Sequence, residues 1–158
     1  MARWRPLDTE GVPATKHMLR HEIEALIERR RQAWNARDAR ALTENHAPDC
    51  IVDSPLAGGP TRGHDAIEHL YATYFRAFTD FRLDQDSVLI DGDHAAVFAT
   101  ATGTDLGGFM GMPPTGRAVK VPIVFLYEFR DGLIVRDRRV YDFTSVLIQI
   151  GMLKAKPS

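Results

Sequence analysis

Asp142 is the residue best placed to take part in a reaction, because it lies between two aromatic residues, Tyr141 and Phe143, where the last predicted strand ends. A carboxylate in apolar surroundings is poorly solvated, which raises its pKa and makes it a usable proton acceptor for an acidic carbon. The alternative is structural, since an aspartate at this point can cap the next helix by accepting from the amide of Thr144 or Ser145. The sequence leaves both alternatives open.

Two arginines, Arg136 and Arg138, share the strand parity of Asp142, so a regular strand would place all three side chains on one face. If that face points inward, the Arg138 guanidinium comes within reach of Asp142. It would then lower the pKa of the carboxyl group and favour binding of an acidic or oxyanionic ligand over base catalysis. The alternative is a β-bulge that turns both arginines outward.

Four further polar residues are candidates for substrate binding, and most of them have a structural alternative. Asp53 ends a short predicted strand and can equally cap the turn that follows it. Tyr71 and Tyr74 lie on one face of a predicted helix, where tyrosines commonly belong to the core and keep the hydroxyl at its rim. Tyr127, on a predicted strand, completes this set of candidates.

Residues 105–117 are rich in Gly, Pro and Met and predict a loop between two strands. Phe109, Met110 and Met112 supply adaptable apolar side chains that can close the mouth of a pocket as a lid; a static hairpin connection is the alternative. Asp105 opens the loop and is either a second acid/base group or a turn residue beside glycines, and we favour the turn.

Hydrophobic periodicity predicts the elements that must position these residues. Helical spacing predicts a long helix from about His17, a short helix capped by Asp38, and a third helix from about His64 whose buried face is aromatic. A short strand is predicted over 50–53, and after Asp80 the period of two predicts strands over 81–90, 94–104, 118–130 and 133–141. A last helix is predicted over 143–150.

Turn sequences at 91–93 and 130–132, each with Asp beside Gly, predict that the four later strands form antiparallel hairpins. The order of elements therefore predicts an α+β fold in which helices cover one face of a mostly antiparallel sheet. Such long strands favour a strongly curved sheet, and a sheet wrapped around helices in a chain of this length leaves an interior pocket for a small molecule.

Composition excludes several other classes of function. The 158 residues contain 20 Lys and Arg against 21 Asp and Glu, so there is no strong positive field to attract nucleic acid. We expect residues 1–16 to form an irregular arm and residues 17–158 a single domain. One cysteine, Cys50, and the lack of an apolar window of about 18 residues favour a cytoplasmic protein without membrane contact.

No sequence pattern indicates a metal or a cofactor. His17 and His21 lie four residues apart but have no third ligand near them in sequence. A Gly-rich phosphate loop, a dinucleotide-binding fingerprint and a Ser-His-Asp order are all missing. We therefore expect chemistry without a cofactor or a metal, with a small hydrophobic organic molecule as the partner.

Several stretches together carry a family resemblance. They are GTDLGGFMGMPPTGR at 103–117, FRDGLIV at 129–135, the Tyr141-Asp142 pair, and the terminal helix region 147–153. Shorter matches are WNARD at 34–38 and GHDAI at 63–67. In these stretches the chain resembles the SnoaL-like polyketide cyclases of the nuclear transport factor two-like superfamily.

The resemblance implies a cone-shaped α+β barrel with a pocket between sheet and helices, commonly assembled as a homodimer or a larger oligomer. Asp142 matches the acidic residue that acts as general acid/base in those cyclases. The implied activity is proton abstraction next to a carbonyl, as in aldol cyclisation or isomerisation of a hydrophobic substrate. The chain departs from the family at Arg138, where a bulky residue is usual, and at Asp105, where a histidine is frequent.

Two other functions stay open, because this fold hosts many activities. One is binding of a small molecule without turnover. The other is hydrolysis of an epoxide, as in the limonene-epoxide-hydrolase-like members of the superfamily, for which Asp142, Arg138 and either Asp53 or Asp105 could supply the two carboxylates and the arginine. The Arg-x-Asp pair of those enzymes is missing from residues 118–127.

Overall fold

The computed structural model describes residues 16–156. The helices are α1 (Arg20–Ala36), α2 (Ala39–Thr43), α3 (His64–Ala77) and α4 (Phe143–Gln149); the strands are β1 (His46–Asp53), β2 (Pro60–Arg62), β3 (Arg82–Asp91), β4 (His94–Thr104), β5 (Ala118–Arg130) and β6 (Leu133–Val140). The arm expected at residues 1–16 lies outside the described residues except for Lys16. None of the helices described is both long and apolar enough to cross a membrane.

The strands form one curved sheet in the order β2-β1-β6-β5-β4-β3. All neighbours are antiparallel except β1 and β6, which run parallel. The predicted α+β class and both predicted hairpins are confirmed. The sequence prediction missed the short strand β2, and it started β1 at Cys50, four residues after its actual start at His46.

The helices cover the concave face of the sheet, where Trp34 of α1 is the centre of an aromatic core. Its ring lies 5.1 Å from the ring of Tyr71 and 5.7 Å from that of Phe75, both on α3. On the sheet side, the rings of Phe81 and Phe125 lie 5.3 and 5.6 Å away. Alternate residues of β5 are buried in this core, as the period of two predicts.

Strand β6 contains a bulge that decides which of its side chains face the core. Glu128 of β5 pairs with Arg136, whereas the next residue, Phe129, pairs with Ile134. Val135 is therefore left without a partner on β5, and the inward parity changes at this point. Ile134 is buried before the bulge, and Asp137 and Arg139 are buried after it.

The loop after β4 approaches α3 so closely that Gly107 has no space for a side chain. The amides of Leu106 and Gly107 donate to the carbonyl of Ala77 at 3.1 and 3.0 Å. A Cβ atom on Gly107 would lie 1.7 Å from the carbonyl oxygen of Arg76. The base of the loop is thus fixed against the end of α3.

We expect Gly107→Ala to lower the free energy of unfolding by about 1–3 kcal/mol, because the added methyl group displaces backbone in a packed contact. The matched control is Gly59→Ala, since a Cβ at Gly59 meets no heavy atom within 4 Å. Urea denaturation of both variants measures the difference. Equal stability of the two variants would show that the loop is not held against α3.

Candidate active site

A buried carboxylate, Asp137 on β6, is the centre of a cluster of polar side chains. Its Oδ2 accepts hydrogen bonds from Arg139 Nη2 at 3.0 Å and from Arg139 Nε at 3.3 Å. The same oxygen lies 3.3 Å from His46 Nε2 and 3.5 Å from the Tyr71 hydroxyl. Burial raises the pKa of Asp137, but the charge of Arg139 together with His46 and Arg30 outweighs burial and holds the pKa well below its usual range. Asp137 is therefore ionised at neutral pH and a weak base.

A second buried arginine, Arg30 on α1, lies behind this carboxylate. Its Nη1 donates to the carbonyl of Leu42 at 2.9 Å, and its Nη2 donates to the Tyr71 hydroxyl at 2.7 Å. Its Nε donates to the Tyr127 hydroxyl at 3.4 Å, and Arg30 Nη2 is 3.9 Å from Asp137 Oδ2. Tyr71 and Tyr127, which we predicted to bind substrate, thus hold Arg30 in place and do not line the main cavity described below.

His46 at the start of β1 joins the cluster to α2. Its Nδ1 lies 3.0 Å from the carbonyl oxygen of Leu42, and its Nε2 faces Asp137. Burial is the main cause that lowers the pKa of His46, and the charges of Arg30 and Arg139 lower it further. The hydrogen bond with Asp137 raises the pKa but does not outweigh these effects. A neutral ring has one N–H, which it donates either to the Leu42 carbonyl or to Asp137, and it adds no third positive charge.

Next to this cluster, an apolar cavity opens between the helices and the concave face of the sheet. Its walls are aromatic and aliphatic, and among the described residues the polar side chains in its lining are those of Arg139, Tyr74, Tyr141 and Thr102, with the indole N–H of Trp34. The volume of the cavity is about 50 Å³. Ordinary ligand pockets have volumes of roughly 300 Å³ or more, so an organic molecule of several rings can enter only if side chains of the lining move.

Two tyrosines in the cavity lining, Tyr74 and Tyr141, have hydroxyls that contact one another. The hydroxyls of Tyr74 and Tyr141 lie 2.7 Å apart, and the Ser54 hydroxyl is 3.1 Å from that of Tyr74. Burial and the neighbouring Tyr74 raise the pKa of Tyr141 well above its usual range. The hydroxyl of Tyr141 therefore keeps its proton at neutral pH and is a hydrogen-bond donor.

Two buried N–H groups in the cavity lining have no hydrogen-bond partner among residues 16–156. They belong to Trp34 Nε1 and Arg139 Nη1. The guanidinium of Arg139 is 4.5 Å from the ring centre of Tyr71 and 5.6 Å from that of Trp34, so aromatic faces hold it in position. Asp137 engages the Nε and Nη2 of Arg139, which leaves Nη1 without an acceptor among these residues.

The prediction that Asp142 enters the pocket is not what the structure shows. Its side chain is exposed, and its Oδ1 accepts from the Ser145 amide at 2.9 Å as the N-cap of α4. The structural alternative for Asp142 therefore applies, although its neighbours Tyr141 and Phe143 both line the cavity.

Arg138, a candidate for substrate binding, lies on the outer face, because the bulge at Val135 turns it away from the cavity, as the alternative of a β-bulge had it. Arg136 is exposed too, and its Nη2 bonds Asp53 Oδ2 at 3.0 Å on the surface. Asp53 is therefore engaged away from the cavity. Asp137 and Arg139, the buried pair that was not predicted, have the strand parity opposite to that of Arg136 and Arg138. The one signal for this pair in the sequence analysis was the alternative of a bulge.

The loop over 105–117 contributes one side chain to the cavity. Asp105 is buried but accepts from the Gly108 amide and from both the amide and hydroxyl of Thr115 at 3.0–3.1 Å, which is the turn role that we favoured. Phe109 is buried among cavity residues, with its ring 5.3 Å from that of Phe78. Met110 and Met112 are exposed.

Within residues 16–156, no group of three or more His, Cys, Asp or Glu could hold a metal ion.

The fold and the cavity are those of an α+β barrel of the nuclear transport factor two-like type. The sequence model of the SnoaL-like polyketide cyclase family matches residues 24–150 of this chain. The chain therefore belongs to the SnoaL-like polyketide cyclase family. No curated protein sequence matches it significantly.

Solved structures with the same fold agree with this assignment. AclR from Streptomyces galilaeus, described as a candidate hydroxylase, has a TM-score of 0.75 at 29% identity, covering 87% of this chain and 85% of its own. A candidate SnoaL-like polyketide cyclase from Jannaschia sp. CCS1 has a TM-score of 0.74 at 27% identity, covering 87% and 94%. TerC, co-crystallised with polyporic acid, has a TM-score of 0.68 at 23% identity, covering 82% and 97%. Together with the family assignment, AclR and the Jannaschia protein support a small-molecule enzyme, and TerC supports the fold alone.

We expect Asp137→Asn to lower the free energy of unfolding by about 3–5 kcal/mol at pH 7, because it leaves two buried guanidinium groups without a counter-charge. The pKa of Asp137 is lower in the folded protein than its ordinary value of 3.8. Its contribution is therefore complete above about pH 4 and is lost as the pH falls further, so the gap between wild type and variant should narrow there.

The control for this prediction is Asp49→Asn, which removes an exposed carboxylate that bonds Arg130 at 2.8 and 3.0 Å. Exposed ion pairs contribute little to stability, so this variant should unfold nearly like the wild type. Denaturant unfolding between pH 3 and pH 7 provides the measurement. A wild-type-like Asp137→Asn would show that the buried cluster does not support the fold.

A separate prediction concerns the cap of α4. Asp142→Ala should lower the free energy of unfolding by about 1 kcal/mol, because it removes the acceptor of the Ser145 amide. Asp142→Asn keeps a capping oxygen and should change the stability by a few tenths of a kcal/mol only. Thermal unfolding of the two variants distinguishes them, and equal losses would argue against the capping role.

Proposed function

We propose that the chain catalyses a cofactor-free aldol cyclisation or isomerisation of a hydrophobic carbonyl compound through an enolate. One observation carries this proposal: the free Arg139 Nη1 and the protonated Tyr141 hydroxyl belong to residues that line the same apolar cavity. Fixed donors aimed at a developing oxyanion in a water-poor site are an effective source of catalysis. Arg139 and Tyr141 would bind the enolate oxygen, and Asp137 would hold Arg139 in position.

The proposal assigns no side chain as the base. Among residues 16–156, no carboxylate or imidazole belongs to the cavity lining. Asp137 is held in its ionised form by arginine, and Asp142 is exposed and caps α4. We therefore assign water at the cavity mouth as the acceptor of the α-proton. The protein contributes by stabilising the enolate that remains.

The loop residue Phe109 would control entry. Its ring is buried at the cavity between α3 and α4, whereas the base of its loop is anchored on Ala77. Because the open part of the cavity is narrow, a polycyclic substrate would require Phe109 to move aside. The loop thus keeps the lid role predicted for it, with Phe109 as its closing side chain.

Non-catalytic binding of a small molecule is the second candidate function. It is favoured by the same lack of a base in the lining, since a binder needs donors but no proton acceptor.

Epoxide hydrolysis receives no such support. Of its candidate carboxylates, Asp53 is engaged by Arg136 at the surface and Asp105 within its own loop. Self-association and a cytoplasmic location stay predictions from the sequence.

Exchange of an α-proton for deuterium tests the enolate proposal directly. We expect the protein to accelerate exchange at the acidic methylene of 2-tetralone in D₂O, followed by NMR. Tyr141→Phe should slow the protein-dependent rate on the order of 100-fold, the usual effect of removing one oxyanion donor. Asp142→Asn is the matched control from the neighbouring position and should retain the rate.

The outcomes separate the candidate functions. Binding of the ketone without exchange would favour the non-catalytic protein. A loss of exchange in Asp142→Asn, with Tyr141→Phe unaffected, would overturn the assignment made here and return the role of base to Asp142.

A further inference from the structure

The buried cluster beside the cavity has an excess of positive charge. Arg30 and Arg139 are both buried and keep their charge at any physiological pH, whereas Asp137 is the one carboxylate in contact with them among the described residues. An imidazole is neutral or positively charged, so His46 beside Asp137 does not offset the excess, which is at least one unit. Unpaired buried charge is costly, and proteins normally match it with a partner.

The unpaired hydrogen-bonding groups in the same place are all donors. Trp34 Nε1 and Arg139 Nη1 are the two buried side-chain atoms without a partner within residues 16–156, and both residues line the cavity. No buried side-chain oxygen in that part of the chain is left unpaired. The unpaired N–H groups therefore belong to residues of the cavity wall, and both lack an acceptor.

The hydroxyls add a third donor. Ser54, Tyr74 and Tyr141 carry three hydroxyl protons, and the two contacts between them use two of these protons. The unused proton is that of Tyr141 when Ser54 donates to Tyr74 and Tyr74 donates to Tyr141, and it is that of Ser54 when both bonds run in the opposite direction. An acceptor beside Tyr141 selects the first arrangement.

We propose that the cavity binds its substrate as an anion: a hydrophobic molecule whose ionised oxygen accepts from Arg139 Nη1 and the Tyr141 hydroxyl. This inference rests on the proposed function, since it concerns the same cavity. It also fits the lack of a base in the lining, because a substrate that loses its proton to water outside the cavity enters as the anion that the donors then stabilise. A neutral carbonyl would satisfy the donors but leave the charge of the second guanidinium unbalanced.

Pairs of matched ligands test the proposal. We expect 2-naphthoate to bind at least about tenfold more tightly than 2-naphthamide at pH 7.5, as is typical of a hydrogen bond to a charged group. The second pair, ionised 2-hydroxy-1,4-naphthoquinone and neutral 2-methoxy-1,4-naphthoquinone, distinguishes an enolate-type anion from a carboxylate. Isothermal titration calorimetry measures all four affinities.

Variants then locate the preference. Arg139→Lys keeps a positive charge for Asp137 but removes the free Nη1, and it should reduce the preference for the anion to less than about threefold. Arg138→Lys, at the exposed neighbour on the same strand, is the matched control and should bind like the wild type. If Arg139→Lys does not fold, Tyr141→Phe replaces it and should weaken binding of the anion several-fold with little effect on the amide.

Each outcome decides the proposal. Equal affinity within both pairs, an unchanged preference in Arg139→Lys or Tyr141→Phe, or no binding of any of the four compounds overturns it. Equal affinity combined with catalysed exchange of 2-tetralone would overturn the anion proposal and leave the enolate function standing. A clear preference for the anions without any exchange would support anion binding and remove the catalytic function.

Discussion

The hydrogen-bonded pair of Asp137 and Arg139 is the interaction on which the interior of this protein depends. Groups from many elements meet at it: Arg30 from α1, Tyr71 from α3 and His46 from β1 all lie within 4 Å of one carboxylate oxygen. Ion pairs in a core stabilise a fold only when every partner is present and well oriented. The cluster therefore fixes how α1, α3 and the sheet lie relative to one another, and the cavity is the space left between them.

The bulge at Val135 is the reason that this pair is inside at all. Without it, the parity of Ile134 would continue to Arg136 and Arg138, and the core would receive two arginines and no carboxylate. With it, the inward positions are Asp137 and Arg139, which neutralise each other. One extra residue in β6 thus decides between two cores. Without it, two buried arginines would lack a counter-charge, and with it, one guanidinium is held in position by a carboxylate.

Most of the fold could be predicted from the sequence, because helices and hairpins follow from local patterns such as the aromatic face of α3 and the Asp–Gly turns. The candidate site could not. Residues 136–139 are all charged, so β6 offers no contrast between polar and apolar positions from which its inward face could be deduced. A bulge also depends on the partner strand, and nothing within 133–140 alone shows that Val135 has no partner on β5. The alternation in β5 was easier to predict, because its buried apolar residues alternate with exposed Lys120, Glu128 and Arg130, although the apolar Leu126 is also exposed.

The way in which Asp137 holds Arg139 gives the site its chemical character. A guanidinium has three nitrogens in one plane, and the carboxylate engages two of them, Nε and Nη2, at 3.0–3.3 Å. The third nitrogen is fixed in direction by these two bonds and by the aromatic faces of Tyr71 and Trp34. Such a donor needs no reorganisation when negative charge appears beside it, which is the condition for electrostatic stabilisation. Because Asp137 is committed to this task, it cannot also accept a proton, and the site is suited to holding an anion that is formed or delivered from outside.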